Sequence, residues 1–225
     1  MLFLGTLENL PCFTKTDLLS TLLKSKYALD ASIKRGLGSR KLLQLKKGLY
    51  MTSKFYFAEP DKIRLAEFVS SKICNPSYLS LEYVLKKHDL LNGLPDSITC
   101  ITTKTTRLFR NFLGVFQYSN VKPLLFFGFE KASFNGCEYQ IATKAKALFD
   151  YLYLRRGLRG KMKYLKQQLF ENLGIDWANF YKQDFEEFDQ YVWKSNSKKM
   201  MKIWRIINEY FAAKDFDKWA KDLLR

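Results

Sequence analysis

The chain has few of the residues on which metal sites and acid–base catalysis most often depend. Its 225 residues include one histidine, His88, and four cysteines that lie far apart, Cys12, Cys74, Cys100 and Cys137. A structural zinc site needs four clustered nitrogen or sulfur ligands, and most nucleophilic triads need a histidine base. We therefore expect neither a zinc site nor catalysis of that kind.

Nucleotide-binding and hydrolase motifs are also missing. The sequence contains no G-x-x-x-x-G-K-[ST] loop, no G-x-G-x-x-G turn, no G-x-S-x-G elbow and no H-E-x-x-H pair. Glu186 and Asp189 have a helical spacing that could hold Mg²⁺. The interpretation we favour is the polar side of an amphipathic helix whose apolar side carries Phe185 and Phe188. We predict no enzymatic activity, no cofactor and no metal.

Long apolar runs are absent, and no stretch approaches the 18 uncharged residues typical of a membrane span. The opening MLFLGTLENLPCF is apolar but short, has no basic segment before it and meets Glu8 early, unlike a secretion signal. Scattered cysteines are typical of reduced intracellular proteins. These features predict a cytoplasmic protein with no membrane partner.

Positive charge is abundant. Lys and Arg number 38 against 22 Asp and Glu, which gives a net charge of +16 and an isoelectric point near 9.6. The first 58 residues alone hold ten basic and three acidic side chains. A field of this sign favours a polyanionic partner.

The N-terminal pattern predicts two helices followed by a hairpin. Thr14 is a candidate N-cap with Asp17 three residues later. Apolar residues then recur at helical spacing, first at Leu18, Leu19, Leu22 and Leu23 and then at Leu29, Ile33 and Leu37. Residues 40–53 change to an alternating pattern with Lys46, Lys47 and Gly48 at its turn. This order is typical of a winged helix-turn-helix domain, which we place at residues 1–58.

A winged helix presents one helix to the major groove of duplex DNA and its hairpin to the neighbouring backbone. Lys34 and Arg35 are the candidates for the groove, and Lys46 and Lys47 for the phosphates. The predicted DNA-binding residues are Ser32, Lys34, Arg35, Arg40, Lys41, Lys46 and Lys47.

Residues 59–225 predict an α+β domain with a helical C-terminal part. Helical patterns surround β-type runs that suggest a small mixed or antiparallel sheet of about four strands. After the sheet comes RRGLRGKMK, a second basic patch that is either a solvated loop or a contact for DNA, RNA or an acidic partner. Its members are Arg155, Arg156, Arg159, Lys161 and Lys163.

Several blocks of the sequence resemble the AbiEi family, the antitoxins of type IV toxin–antitoxin and phage abortive-infection systems. The blocks are LKKGLYM, NPSYLSLEYVLKKHDLL, LPDSITCITTKTTR, LGVFQYSNVKPLLFFGF and YQIATKAKALFDYLYLRR, and their order covers about residues 13–160. Two positions depart from the family pattern. Ala145 stands where the family has Glu within Pro-Glu-Lys, and Asp89 follows His88 where the family favours Gly. Lys146 and Asp150 match the pattern.

The resemblance implies a bifunctional protein. Its N-terminal domain would bind inverted repeats at its own promoter and repress transcription. Its C-terminal domain would counteract a nucleotidyltransferase toxin encoded alongside, without requiring a stable complex with it. An alternative is a plain winged-helix regulator whose second domain dimerises or senses an effector and has no toxin partner.

Overall fold

The computed structural model describes residues 7–22 and 26–223 and has a mixed α+β architecture with a helical C-terminal part, as the sequence predicts. The helices are α1 Lys15–Leu22, α2 Lys26–Gly38, α3 Ser53–Ala58, α4 Lys62–Ile73, α5 Leu81–Lys87, α6 Lys144–Leu154, α7 Met162–Gln167, α8 Lys182–Ser195 and α9 Lys198–Leu223. The strands are β1 Phe13–Thr14, β2 Leu42–Lys46, β3 Leu49–Thr52, β4 Ser77–Leu79, β5 Ile98–Thr102, β6 Arg107–Asn111, β7 Gly114–Asn120, β8 Phe129–Phe134 and β9 Cys137–Ala142.

The chain forms two compact units, and each unit is assembled from three separate segments. Their boundaries do not follow the predicted division after residue 58, because the N-terminal elements share a unit with much of the second region. Unit 1 comprises Met1–Leu79, Asp96–Asn120 and Lys131–Gln140, and unit 2 comprises Ser80–Pro95, Val121–Glu130 and Ile141–Arg225.

The N-terminal elements of unit 1 follow the predicted order of two helices and a hairpin. Thr14 and Asp17 cap α1 reciprocally: the Thr14 N–H donates to Asp17 Oδ2 at 2.7 Å, and the Asp17 N–H donates to Thr14 Oγ1 at 3.2 Å. Strands β1, β3 and β2 pair antiparallel in that order. Leu18 and Leu29 are fully buried beneath them, whereas Leu23 lies outside the described residues.

The second sheet of unit 1 has six strands rather than about four, in the order β6-β7-β5-β4-β9-β8. It is mixed, because β5 pairs parallel with β7 while β4–β5 and β6–β7 are antiparallel. No pattern in the sequence predicts β4 or β6. The first has three residues, and the second is an edge strand with mostly exposed side chains. Helix α4 lies against the sheet, where Tyr118 Oη donates to the Ser70 carbonyl at 2.6 Å.

Unit 2 is built around α6, which packs against α5, α8 and α9. Thr143 caps α6 by accepting the Lys146 N–H at 3.1 Å. Aromatic side chains of the C-terminal region form part of the core of unit 2, because Phe180, Phe188 and Tyr191 are buried. Within residues 7–22 and 26–223, no helix combines the length and apolarity needed to cross a membrane.

Candidate nucleic-acid interface

Helix α2 separates an apolar side from a cationic one. Leu29 and Ile33 are buried in the N-terminal core, whereas Lys34 and Arg35 are exposed. Ser32 is half-buried, and its hydroxyl donates to the Ala28 carbonyl at 2.8 Å and lies 3.5 Å from Arg35 Nη2. Lys34 and Arg35 are therefore available to an external anion, while the Ser32 hydroxyl already has a partner within its own helix.

The segment between α2 and β2 presents two more cations. Arg40 and Lys41 are both exposed, and Arg40 has a left-handed backbone with φ of 55°. The backbone of Lys41 is held on both sides, because its N–H donates to the Gly36 carbonyl and its carbonyl accepts the Ser53 N–H, each at 3.0 Å. These bonds fix where the two side chains leave the backbone.

The two lysines of the hairpin tip differ in their surroundings among the described residues. Lys46 is half-buried, and its Nζ donates to the Ile73 carbonyl at 2.7 Å. Burial is the main cause that lowers the pKa of Lys46. Lys47 is exposed in the turn, next to Gly48, whose φ of 83° favours glycine. Of the two predicted phosphate contacts, Lys47 is free to act as one, whereas Lys46 joins the hairpin to the end of α4.

Two cations near the hairpin tip were not predicted. Lys104 and Arg107 lie at the start of β6, both exposed, and their charges act on Lys46 by lowering its pKa. Arg107 is oriented by Thr105, because its Nη2 donates to Thr105 Oγ1 at 2.7 Å. The sequence around Lys104 and Arg107 does not reveal that these residues lie near the hairpin. Their location depends on the contact between β6 and β2, which are far apart along the chain.

The second basic patch belongs to unit 2. All five predicted residues are exposed: Arg155, Arg156, Arg159, Lys161 and Lys163. Arg155 lies over the Tyr151 ring, and its Nη1 donates to Tyr151 Oη at 2.7 Å. The patch is thus far along the sequence from the cations of unit 1, and it belongs to the other compact unit.

The positions of the family-like pattern occupy structurally constrained places in unit 2. Lys146 and Asp150 are fully buried and form an ion pair one helical turn apart on α6. Ser80 Oγ donates to Asp150 Oδ2 at 2.8 Å. Asp89 has a φ of 57°, a left-handed conformation that glycine adopts most easily, and Ala145 is completely buried.

The sole histidine ends a helix. His88 is the C-cap of α5, and its N–H donates to the Val84 carbonyl at 3.1 Å. Burial, with a smaller contribution from Lys144, lowers the pKa of the imidazole.

Three of the four carboxylates of α8 have structural partners. Asp189 Oδ1 accepts from Trp193 Nε1 at 2.7 Å, and Glu187 Oε1 accepts from Thr143 Oγ1 at 2.8 Å. Asp184 forms an ion pair with Lys144 at 2.7 Å. In the part of the chain that the structure describes, no three His, Cys, Asp or Glu side chains are grouped so as to hold a metal ion.

No protein-family model matches the chain, and no curated protein matches it either. The geometry itself supplies two cationic surfaces, one in each compact unit. Exposed lysines and arginines at such surfaces can neutralise phosphates and release their counterions.

Proposed function

We propose that unit 1 binds duplex DNA through a winged helix-turn-helix made of α1, α2 and the β2–β3 hairpin. The observation that carries this proposal is the exposure of Lys34 and Arg35 on α2, while Leu29 and Ile33 of the same helix are buried. A helix anchored by its apolar side and cationic on its outer side fits the major groove.

In this proposal the two kinds of contact have different consequences. Lys34 and Arg35 read base edges or adjacent phosphates, while Lys47, Lys104 and Arg107 neutralise the flanking backbone. Base contacts give sequence preference, whereas phosphate contacts raise affinity on every sequence and make it depend on salt.

A titration of the full-length protein against a duplex from its own upstream region, at 50 to 200 mM salt, tests the proposal. We expect binding that weakens steeply with salt and a loss of about 1–3 kcal/mol for Lys34→Ala/Arg35→Ala if base edges are read. The matched control is Lys131→Ala/Arg64→Ala, which removes the same charge from exposed positions on β8 and α4. Binding that is absent, insensitive to salt, or weakened equally by the control excludes the proposal.

We further propose that the protein is a cytoplasmic AbiEi-like antitoxin that represses its own promoter and counteracts a nucleotidyltransferase toxin. The support is the ordered resemblance over about residues 13–160, together with the buried Lys146–Asp150 pair at two matching positions. Antitoxin action is then assigned to unit 2 and needs no stable complex with the toxin.

Co-expression with the neighbouring gene, scored by growth, tests the antitoxin role. We expect the Lys34→Ala/Arg35→Ala variant still to rescue growth. That result would show that control of the toxin does not depend on repression of the promoter. If the neighbouring gene encodes no nucleotidyltransferase and causes no growth arrest, the plain regulator is the better description. The exposed side chains of α2 favour that second candidate as much as the first, since both require DNA binding.

A further inference from the structure

All of the net positive charge of the protein comes from two regions, because the rest of the chain is slightly acidic. One is residues 1–58, and the other is formed by residues 151–170 and 190–208, which hold eleven basic side chains and no acidic one. The rest of the chain has 17 basic and 19 acidic residues. The eleven cations are Arg155, Arg156, Arg159, Lys161, Lys163, Lys166, Lys194, Lys198, Lys199, Lys202 and Arg205.

The fold of unit 2 brings these two segments together. Lys199 Nζ, from the first turn of α9, donates to the carbonyls of Tyr153 at 3.0 Å and Arg155 at 2.6 Å. A hollow of about 210 Å³ lies between them, lined by Arg159 and Gly160 on one side and by Lys198, Lys199 and Lys202 on the other. Four cations without a carboxylate therefore surround a space open to solvent.

The cations of α9 form a row along the helix. Lys198, Lys202 and Arg205 are spaced by four and three residues, which places them on one side, and all three are exposed. Trp204 lies on another side, in contact with Trp193 of α8. Burial, and after it the charge of Arg159, lowers the pKa of Lys199 to about 8.

An exposed aromatic ring adjoins the same hollow. Tyr164 on α7 is 45% exposed, and it lies so near Gly160 that a Cβ at that glycine would be 3.7 Å from Tyr164 Cδ1. Recognition of a single strand combines two elements: cations that follow the phosphate backbone, and an aromatic ring on which a base stacks. A duplex keeps its bases stacked and offers no free base face to such a ring.

We propose that unit 2 binds single-stranded nucleic acid across this surface. Lys198, Lys202 and Arg205 contact successive phosphates, and Tyr164 stacks on a base. This binding is distinct from the duplex recognition proposed for unit 1 and does not rest on it. A row of cations on two segments fits a polyanion better than a single phosphate, because one phosphate neutralises only a small part of the charge.

Fluorescence anisotropy with the full-length protein tests this inference, using 20-nucleotide oligouridylate and oligothymidylate probes at 50 to 200 mM salt. We expect Lys198→Ala/Lys202→Ala to weaken binding at least tenfold at 100 mM and to reduce the log–log salt slope by about 1.4. Tyr164→Ala should cost at least about fivefold, whereas Tyr164→Phe should bind like the wild type. The matched control is Lys122→Ala/Lys182→Ala, which removes two exposed lysines of the same unit from outside the row.

Each outcome has a defined meaning. Tighter binding of oligouridylate assigns the surface to RNA, and equal binding assigns it to single strands in general. The inference fails if neither probe binds, if Lys198→Ala/Lys202→Ala binds normally, or if the control variant loses as much affinity. It also fails if Lys34→Ala/Arg35→Ala abolishes binding of the single strands, since the site would then lie in unit 1. Loss of duplex binding alone refutes only the function proposed for unit 1.

Discussion

The ammonium group of Lys146 and the carboxylate of Asp150 are buried together in the core of unit 2. Two aromatic rings enclose the ammonium, with the Phe127 and Phe149 centroids 5.1 and 5.0 Å from Nζ, and Ser80 donates to the carboxylate. A buried pair contributes little net stability compared with an apolar pair, but loss of one partner leaves an uncompensated charge.

Removing one member of this pair should therefore cost more than removing both. We expect Asp150→Ala to lower the free energy of unfolding by about 3–5 kcal/mol, and Lys146→Met/Asp150→Leu to lower it by less. Urea unfolding followed by circular dichroism measures both. A double variant whose loss equals the sum of the losses in its two single variants would show that the two charges do not stabilise each other, which would contradict this expectation.

Substitutions at Gly128 and Gly136 allow the cost of a strained backbone to be distinguished from the cost of a steric clash. Both have a positive φ, 75° and 73°, but a Cβ at Gly128 would lie 2.8 Å from Tyr191 Oη, whereas one at Gly136 meets nothing within 4 Å. We expect Gly136→Ala to cost about 1–2 kcal/mol from the left-handed backbone. Gly128→Ala should cost about 1–3 kcal/mol more because neighbouring side chains must shift. Equal losses in urea unfolding would mean that Tyr191 moves aside without cost.

At the scale of single elements, the sequence predicts what is locally determined. The cap formed by Thr14 and Asp17, the α2 helix and the turn at Lys47 each depend on neighbouring residues, and each was predicted correctly. Strand β6 and the bond from Lys46 to Ile73 depend on segments that meet only in the folded chain, so no local pattern reveals them. The cations at Lys104 and Arg107 were missed for the same reason.

The two lysines of the hairpin tip should therefore behave differently. Lys46→Met removes a bond from an ammonium to a carbonyl and should lower stability by about 1.5–3 kcal/mol, with little change in the salt dependence of duplex binding. Lys47→Ala should leave stability unchanged and reduce the salt slope by about 0.9. Thermal unfolding and the salt titration measure the two effects. The interpretation is wrong if Lys46→Met flattens the slope as much as Lys47→Ala does.

Lys199 joins α9 to the end of α6, and its contribution to the free energy of unfolding should increase as pH rises. The pKa of Lys199 is about 8 in the folded protein against an ordinary value of 10.5, so between these values the unfolded chain binds more protons. The free energy of unfolding therefore gains a positive contribution as pH rises through this window. A neutral amine keeps two N–H groups, enough for the carbonyls of Tyr153 and Arg155.

Comparison with Lys199→Met isolates that contribution, because other titrating groups cancel in the difference. The stability advantage of the wild type over Lys199→Met should grow from pH 8 towards pH 10, as measured by urea unfolding at several pH values. A constant or shrinking advantage contradicts the expectation.

At the scale of the whole molecule, neither compact unit is a continuous stretch of the chain. Each compact unit collects three segments, so the chain passes from one unit to the other five times between residues 79 and 141. No single cut therefore divides the chain into its two units. Function can still be divided between the units, because the cations of α2 belong to unit 1 and those of α9 to unit 2.

The N-terminal 58 residues should consequently be less stable alone than within the chain. Their own core is a small cluster around Phe13, Leu18 and Leu29, and the rest of unit 1 adds further contacts. Asn111 Nδ2 donates to the Leu45 carbonyl at 3.0 Å, and the Phe112 ring lies 5.0 Å from that of Tyr56. These contacts are lost in a fragment that ends at residue 58.

Hydrogen exchange on peptides from β2 and β3 measures this difference, with the fragment 1–58 compared with the full-length protein under identical conditions. We expect faster exchange in the fragment, and a smaller increase in full-length Asn111→Ala, which loses a single bond to β2. Asn120→Ala is a suitable control, because its amide donates to Lys104 rather than to the hairpin. Equal protection in the fragment and the full chain would show that residues 1–58 fold independently. In that case the boundary expected from the sequence would describe the protein better than the compact units do.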